Sequence, residues 1–492
     1  MDSWEKITSL TYSQIKELQN QHLHSFINTH VYPFSPYYQK LFDDNKIDPR
    51  KIRTREDLKH IPFISKSDLI SKDNPQKFKD FILQPDREKI GRHWPKSQLL
   101  IRAAQSMLQG QRLEDDLAKE YRPIFMTFTT GTTNAPVAFM YSRYDLDNLY
   151  VSGARMVELF DIKGDERIMN LFPFAPHLAF WQTFFGAIEA GVFALSTGGG
   201  KVMGTEGNLT ALMRIKPSAI LGVPSYIYHL IRFAQEKGHD LSFIKKIVLG
   251  AAKVTPAYKQ KLSDMLSAQG AQNVSIFGTY GFTEARTAWA ECPAENHLSS
   301  GYHLYPDKEI LEIIDPATGE VKNEGEDGEL VYTSLDSRAS VVLRYRTGDF
   351  VKGGITHEPC PYCGRHTLRL SSDITRLSDN KDIQLSKVKG TLVNLSHFAE
   401  VLNEIQQVDE WQLEIRKHKN DPYEVDEMVV YVTAQAAANQ STLGQVIKDK
   451  LTGATEVAPN EIKFITLDEM VKRLELETAN KEKRIIDIRP KV

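Results

Sequence analysis

Between Pro123 and about Arg369, short apolar stretches alternate with segments of helical periodicity, as in IVLGA after a Lys-Lys pair and SIFGTYG before TEA. Successive strands joined by helical crossovers build a parallel or mixed sheet, because parallel neighbours need a connection long enough to hold a helix. The pattern predicts an α/β body with mixed sheets and crossover helices. The chain has 492 residues, more than the roughly 250–300 that one core accommodates, so a second, smaller domain is expected. The C-terminal region supplies it. In DEWQLEIRK, Trp411, Leu413 and Ile415 fall on one face of a strand, and DEMVVYVTA reads as its partner after the polar turn HKNDPYE. A helix over Gln445–Leu451 and a strand near Ile462–Thr466 complete a small α+β unit. The boundary is placed near Arg376–Asp379, dividing the chain into residues 1–376 and 377–492.

Upstream, apolar spacing predicts helix from Tyr12 to Phe42, and Ser65 in PFISKSDL is a plausible helix cap. Residues from about 70 to 120, punctuated by Pro85, Gly91 and Pro95, read as a solvated helical insertion. A formal net charge of -3, with both signs evenly mixed, leaves no electrostatic footprint for nucleic acid or an anionic membrane. No apolar run approaches the ~18–20 residues that span a bilayer. The charged start lacks a secretory signal, so the cytoplasm is the default compartment. Self-association into a homodimer stays open. Of three cysteines, Cys360 and Cys363 form a CxxC pair with Cys292 far upstream, an arrangement that suits a metal better than a disulfide framework.

Three segments carry chemistry. TFTTGTTNAP gathers Thr127, Thr129, Thr130, Gly131, Thr132 and Thr133, whose hydroxyls and backbone N–H groups can converge on one anion; on composition alone it could equally be a polar turn. YGFTEA holds Tyr280, Gly281, Thr283 and Glu284, and RYRTGD holds Arg344, Arg346, Gly348 and Asp349. Read residue by residue, Glu284 could cap a helix and Asp349 could end a strand in a Gly-Asp turn. In this order and spacing the three strings resemble the acyl-adenylating superfamily of acyl-CoA synthetases, luciferases and peptide-synthetase adenylation domains. PFISKSDL, AECP, IIDPATGEV, GEDGELVYTSL and CPYCGR narrow the resemblance to the phenylacetate-CoA ligase family.

That resemblance implies ATP- and Mg²⁺-dependent conversion of a carboxylic acid to an acyl-adenylate, then transfer to coenzyme A. It implies that Thr129–Thr133 cradle the departing phosphates, with Tyr280 and Gly281 also at the nucleotide and Thr283 and Glu284 at the reacting centre. Glu284 would hold Mg²⁺, and Asp349 would accept the ribose hydroxyls. ANKEKRIIDIRP is similar to the family's terminal segment, which makes Lys481 the catalytic lysine. Arg376 matches an arginine near the nucleotide, and Ser378 takes the hinge position. By the same resemblance Cys292 and His303 join Cys360 and Cys363 in a structural zinc site, with His297 and His357 as competitors for the fourth place. Four protein ligands leave no open position for catalysis.

The acyl pocket is less legible. Trp181, Phe184, Phe185 and Ile188 fall at helical spacing and read as a buried helix face. Phe174, His177 and Phe180, in a Pro-punctuated loop ahead of that helix, are the better pocket candidates, joined through the resemblance by Gly250, Ala251 and Gly278. An aromatic or other apolar acid fits. Departures from the family pattern bear on the acceptor: Asn134 and Ala135 replace the usual Gly and Lys, and KVKGTLVNLSHFAEVL lacks a Phe-Pro pair, although Lys389 and Gly390 are retained. Transfer to a carrier-protein thiol or an amine is therefore an alternative. A non-catalytic, zinc-stabilised nucleotide-binding scaffold is a third, against which Glu284 and Asp349 argue.

Overall fold

The computed structural model describes residues 3–70, 74, 76–108, 110–129, 137–377, 385–388, 391–418, 426–436, 438–455, 457–478 and 482–489. Thr130, Gly131, Thr132, Thr133, Asn134, Ala135, Ser378, Lys389, Gly390 and Lys481 lie outside them. The fold is mixed α/β and divides into two compact units. The first comprises Met1–Ile168, Pro176–Ala194 and Phe277–Ile374; the second comprises Met169–Ala175, Leu195–Ile276 and Thr375–Val492.

In the first unit the continuous helix read from Tyr12 to Phe42 is broken into helices Tyr12–Phe26, Tyr32–Phe34 and Pro36–Asp44, with a π-helical turn over Ile27–Val31. Pro36 forces the break: Ser35 before it takes an extended conformation and restarts the helix as its cap. Ser65 caps Lys66–Leu69 as expected, exchanging hydrogen bonds with Asp68. The insertion is helical over Arg87–His93, Lys96–Leu108 and Leu113–Tyr121. It is not simply solvated, because Ile90, Trp94, Leu117 and Tyr121 enter the unit's main core.

Antiparallel strands Glu309–Ile314, Gly328–Ser334 and Tyr345–Val351 form one sheet. Strand Ser275–Phe282 pairs antiparallel with Thr287–Ala290, and the hairpin Phe125–Phe128 with Ala138–Tyr141 stands beside them as a separate ladder. Helices Arg143–Leu159 and Leu178–Glu189 approach so closely that a Cβ on Gly153 would sit 2.5 Å from the Gly186 Cα. That contact fixes the face of Leu178–Glu189 that is buried: Leu178, Phe180, Gln182, Gly186 and Ala187. Trp181, Phe184 and Phe185 are half-buried and Ile188 is exposed, so the buried face is not the aromatic one read from spacing. Small residues permit the close helix contact at Gly153 and Gly186, and at its edge the half-buried Phe185 ring stacks on Tyr150 of the facing helix at 4.6 Å.

The second unit holds the parallel pair Ala219–Gly222 and Lys246–Leu249, in line with the crossover pattern. Its tail has its own core. Strands Val408–Lys417 and Asp426–Ala434 pair with Trp411 opposite Val432, Leu413 opposite Val430 and Ile415 opposite Met428, all buried. The following helix is longer than read, Gln440–Thr455, and the next strand runs Glu461–Phe464. Helix Leu467–Leu474 and strand Ile485–Asp487, which pairs parallel with Val408–Lys417, add to the unit.

Candidate active site

The TEA of YGFTEA lies in a hairpin turn, not at a helix. Strands Ser275–Phe282 and Thr287–Ala290 pair with Phe282 opposite Thr287, so Thr283–Arg286 form the connection. The Ala285 N–H donates to the Phe282 carbonyl at 3.1 Å and the Arg286 N–H to the Thr283 carbonyl at 3.0 Å. Gly281 is required by packing, since a Cβ there would fall 2.5 Å from that of Ala288 across the ladder. Glu284 is thereby presented at the tip of a rigid hairpin, 9% exposed.

Asp349 does not end its strand. Strand Tyr345–Val351 continues through it, but its register against Gly328–Ser334 shifts: Arg346 faces Val331 and Phe350 faces Glu329. The additional residues between them bulge at Gly348, whose φ of 73° suits glycine. Asp349, 5% exposed, is held there by its N–H to the Thr347 hydroxyl at 3.0 Å.

The two segments lock each other. The Tyr280 hydroxyl donates to Asp349 Oδ2 at 2.6 Å, and the Tyr345 hydroxyl donates to Glu284 Oε1 at 2.8 Å. Each motif's tyrosine thus orients the other motif's carboxylate. Sequence reasoning missed Tyr345, although strand alternation in RYRTGD sets it on the face opposite Arg344 and Arg346. Those arginines are structural: Arg344 bonds Glu312 and lies 3.9 Å over the Phe63 ring, while Arg346 pairs with Glu329.

The start of the phosphate-loop segment joins this site. Thr129 is buried and pairs with Val137, its N–H donating to the Val137 carbonyl at 3.0 Å and its hydroxyl accepting from the Val137 N–H at 2.9 Å. The adjacent Phe128 carbonyl accepts from the Thr283 hydroxyl at 3.4 Å and contacts His177 Nδ1 at 3.1 Å. Thr129, Thr283, Glu284, Tyr280, Asp349 and His177 are therefore brought into one neighbourhood of the first unit. His177 immediately precedes helix Leu178–Glu189 and makes no capping side-chain bond to it; Phe180 is in that helix, buried, and not in the loop ahead of it. Gly278 is buried, with its N–H donating to the Glu291 carboxylate. Phe174, Gly250, Ala251 and Arg376 belong to the second unit. There Phe174 is exposed, Ala251 takes a left-handed φ of 69°, and Arg376 ends strand Ile374–Arg376.

This pair of cross-locked motifs beside a Thr-rich strand end belongs with a matching whole-chain similarity. The AMP-binding enzyme family profile matches residues 46–336. The chain belongs to the AMP-binding enzyme family. It is 25% identical to the phenylacetate-coenzyme A ligase of Aromatoleum evansii over 495 residues, covering 99% of this chain and 97% of that protein. The phenylacetate-coenzyme A ligase of Thermus thermophilus is 26% identical over 377 residues, 76% of this chain and 73% of that protein. The fold is shared with a solved 2-hydroxyisobutyryl-CoA ligase in complex with R3-HIB-AMP, at a TM-score of 0.74 and 17% identity, over 99% of this chain and 92% of that one.

A second cluster differs from these carboxylates in chemistry. Cys292, His303, Cys360 and Cys363 place their ligand atoms within 4.8 Å of one another. Cys292 Sγ and Cys360 Sγ are 3.6 Å apart, and Cys363 Sγ is 3.7 Å from His303 Nε2. These two separations lie in the range of about 3.5–3.8 Å that neighbouring ligand atoms of one tetrahedral ion with zinc's usual bond lengths would keep. His303 Nδ1 is engaged by the Thr367 hydroxyl at 2.8 Å, which leaves Nε2 to the sulfurs, an outer-shell arrangement common at zinc sites. Hydrogen bonds from its neighbours hold the Cys360 thiol well below the ordinary thiol range, and the same sharing pushes Cys292 up. His357 is elsewhere, stacked on Tyr12 and paired with Glu324.

Proposed function

We propose that this enzyme uses ATP to activate an aromatic or other apolar carboxylic acid as its acyl-adenylate and then transfers the acyl group to coenzyme A. The observation that carries the reading is the reciprocal Tyr280–Asp349 and Tyr345–Glu284 bonding. Two carboxylates are buried at one site, a costly placement unless they are hydrogen-bonded and used. In adenylation a carboxylate oxygen attacks the α-phosphorus in line while pyrophosphate leaves, so the site must position the nucleotide and spread the phosphate charge.

Asp349 fits the ribose, because one carboxylate accepts two neighbouring hydroxyls. Glu284 fits Mg²⁺, which prefers one or two carboxylates and otherwise phosphate and water oxygens; bound there, the ion would neutralise phosphate charge. Thr129 through Thr133 would receive the departing phosphates, and Arg376 would lie by the nucleotide. Lys481 would bring a point charge to the reacting carboxylate and α-phosphate, withdrawn as the segment after Ser378 moves. A division into residues 1–376 and 377–492 suits this motion, and the tail's own hydrophobic core from Phe398 to Ile485 supports it. His177, Phe174, Phe180, Gly250, Ala251 and Gly278 are the proposed acyl contacts. The Cys₃His cluster would hold a structural zinc, since all four positions are protein ligands. Among the described residues no helix is long and apolar enough to cross a membrane.

The test is ATP–pyrophosphate exchange over a panel of carboxylic acids that includes phenylacetate, followed by product analysis with coenzyme A, a carrier protein or an amine as acceptor. Acid-dependent exchange and a coenzyme A thioester are expected. No exchange with any acid would favour the non-catalytic scaffold, and exchange with an acyl-amide product would redirect the second step.

A further inference from the structure

The hairpin turn that carries Thr283 and Glu284 closes on Arg286, and this residue has a φ of 57°. A long side chain rarely adopts the left-handed region, and persists there only where its surroundings over-determine it. Those surroundings are explicit. The guanidinium, buried with 8% of the side chain exposed, forms an ion pair between Nη1 and Asp145 Oδ1 at 3.0 Å; Asp145 is 3% exposed. Nη2 bonds the Ser337 hydroxyl, and Nη1 also reaches the Met140 carbonyl at 3.4 Å. The group lies 5.7 Å from the Tyr141 ring, and the Tyr141 hydroxyl contacts the Thr127 hydroxyl at 3.1 Å.

Asp145 is itself fixed. Its carboxylate accepts from the backbone N–H groups of Ser142 at 2.9 Å, Arg338 at 3.0 Å and Ala339 at 2.8 Å. Met140 and Tyr141 are on the strand that pairs with Phe125–Phe128, so the guanidinium carried by the turn that bears Glu284 reaches the hairpin leading into Thr129. Planar, forked donors suit this task, since they can meet a carboxylate, a hydroxyl and a carbonyl from three segments at once. None of these partners is among the residues proposed above to hold the nucleotide, the acid or Mg²⁺.

We propose that Arg286, fixed by Asp145, is a positioning residue that sets the Glu284 turn in register with the phosphate-loop hairpin and so tunes Mg²⁺ use in adenylation. The inference rests on the Mg²⁺ role proposed for Glu284. Loss of the clamp would let the turn shift without removing any ligand, and misplacement of about 1 Å can cost on the order of 100-fold in rate.

The experiment compares wild type with Arg286→Lys, Arg286→Gly/Asp145→Asn and Glu284→Gln. The double variant removes both charges together, so no unpaired ion is left buried, and glycine accepts the left-handed turn without strain. Folding is checked by circular dichroism and thermal melting, ATP–pyrophosphate exchange is titrated with Mg²⁺, and thioester formation is measured from preformed acyl-adenylate. In folded clamp variants the Mg²⁺ concentration for half-maximal exchange should rise about 10-fold and the exchange rate fall about 10- to 100-fold, with transfer from acyl-adenylate within about 2-fold of wild type. Arg286→Lys should lie between. If either clamp variant folds and exchanges with wild-type Mg²⁺ dependence while Glu284→Gln does not, the positioning inference is overturned and the metal reading stands. If both half-reactions fall together in step with melting temperature, the clamp is structural only and the inference fails. An unchanged Mg²⁺ response in Glu284→Gln would take down the metal reading, and the inference with it.

Discussion

Substituting Asp349 by alanine probes the proposed site most directly. A carboxylate accepts about four hydrogen bonds, and the Tyr280 hydroxyl with two ribose hydroxyls asks for three. Asp349 is 5% exposed and placed by the Gly348 bulge, so an alanine there leaves no carboxylate oxygen at its position. Hydrogen bonds to a charged group contribute roughly 1.5–3 kcal/mol each. Two bonds to the ribose share one carboxylate and do not add fully, so kcat/KM for ATP should fall at least about 100-fold. The assay is ATP–pyrophosphate exchange with ATP and with 2′-deoxy-ATP. Wild type should discriminate against the deoxynucleotide by about 10-fold, one charged hydrogen bond's worth, and Asp349→Ala should not discriminate. Tyr280→Phe keeps the carboxylate and removes only the 2.6 Å bond that orients it. Its loss should be smaller, about 3- to 10-fold. Wild-type exchange in a folded Asp349→Ala protein, or full retention of deoxynucleotide discrimination, would refute the ribose assignment.

Lys481→Ala should lose acyl-adenylate formation by orders of magnitude with little change in ATP affinity, while thioester formation from preformed acyl-adenylate continues; unimpaired adenylation would point to another cation such as Lys483. Protein purified without chelator should contain about one zinc per chain, and Cys360→Ser or Cys363→Ser should lose metal and thermal stability together, because structural zinc binding contributes to folding. Metal analysis finding none would remove the site. Glu309 is fully buried, receives the Trp289 indole N–H and the Tyr305 N–H on one oxygen, and burial pushes its pKa up to about 8. With the folded pKa above the unfolded one, its contribution is intact at acid pH and is lost as pH rises through about 8. Glu309→Gln cannot ionise, so its urea midpoint should decline less than that of wild type between pH 6 and 9; parallel curves would contradict the reasoning.

Sequence alone determined the local vocabulary: the α/β alternation, the two C-terminal strands with Trp411, Leu413 and Ile415 inward, the Ser65 cap, and the motifs holding Glu284 and Asp349. Side-chain period, turn chemistry and a capping pair are written in neighbouring residues, and short motifs keep their order whatever the packing. Chain contacts over long separations decided the rest. That Phe180 and not Trp181 faces inward depends on Gly153 meeting Gly186, a helix contact no periodicity within one helix contains. Whether TEA opened a helix or a hairpin was settled by pairing of Ser275–Phe282 with Thr287–Ala290. The convergence of Cys292, His303, Cys360 and Cys363, the crossed tyrosine bonds between two motifs some 65 residues apart, and the Arg286–Asp145 clamp all join distant segments. Hydrogen bonds and ion pairs of that kind act over a few ångströms of space, so only the folded chain brings their partners within reach.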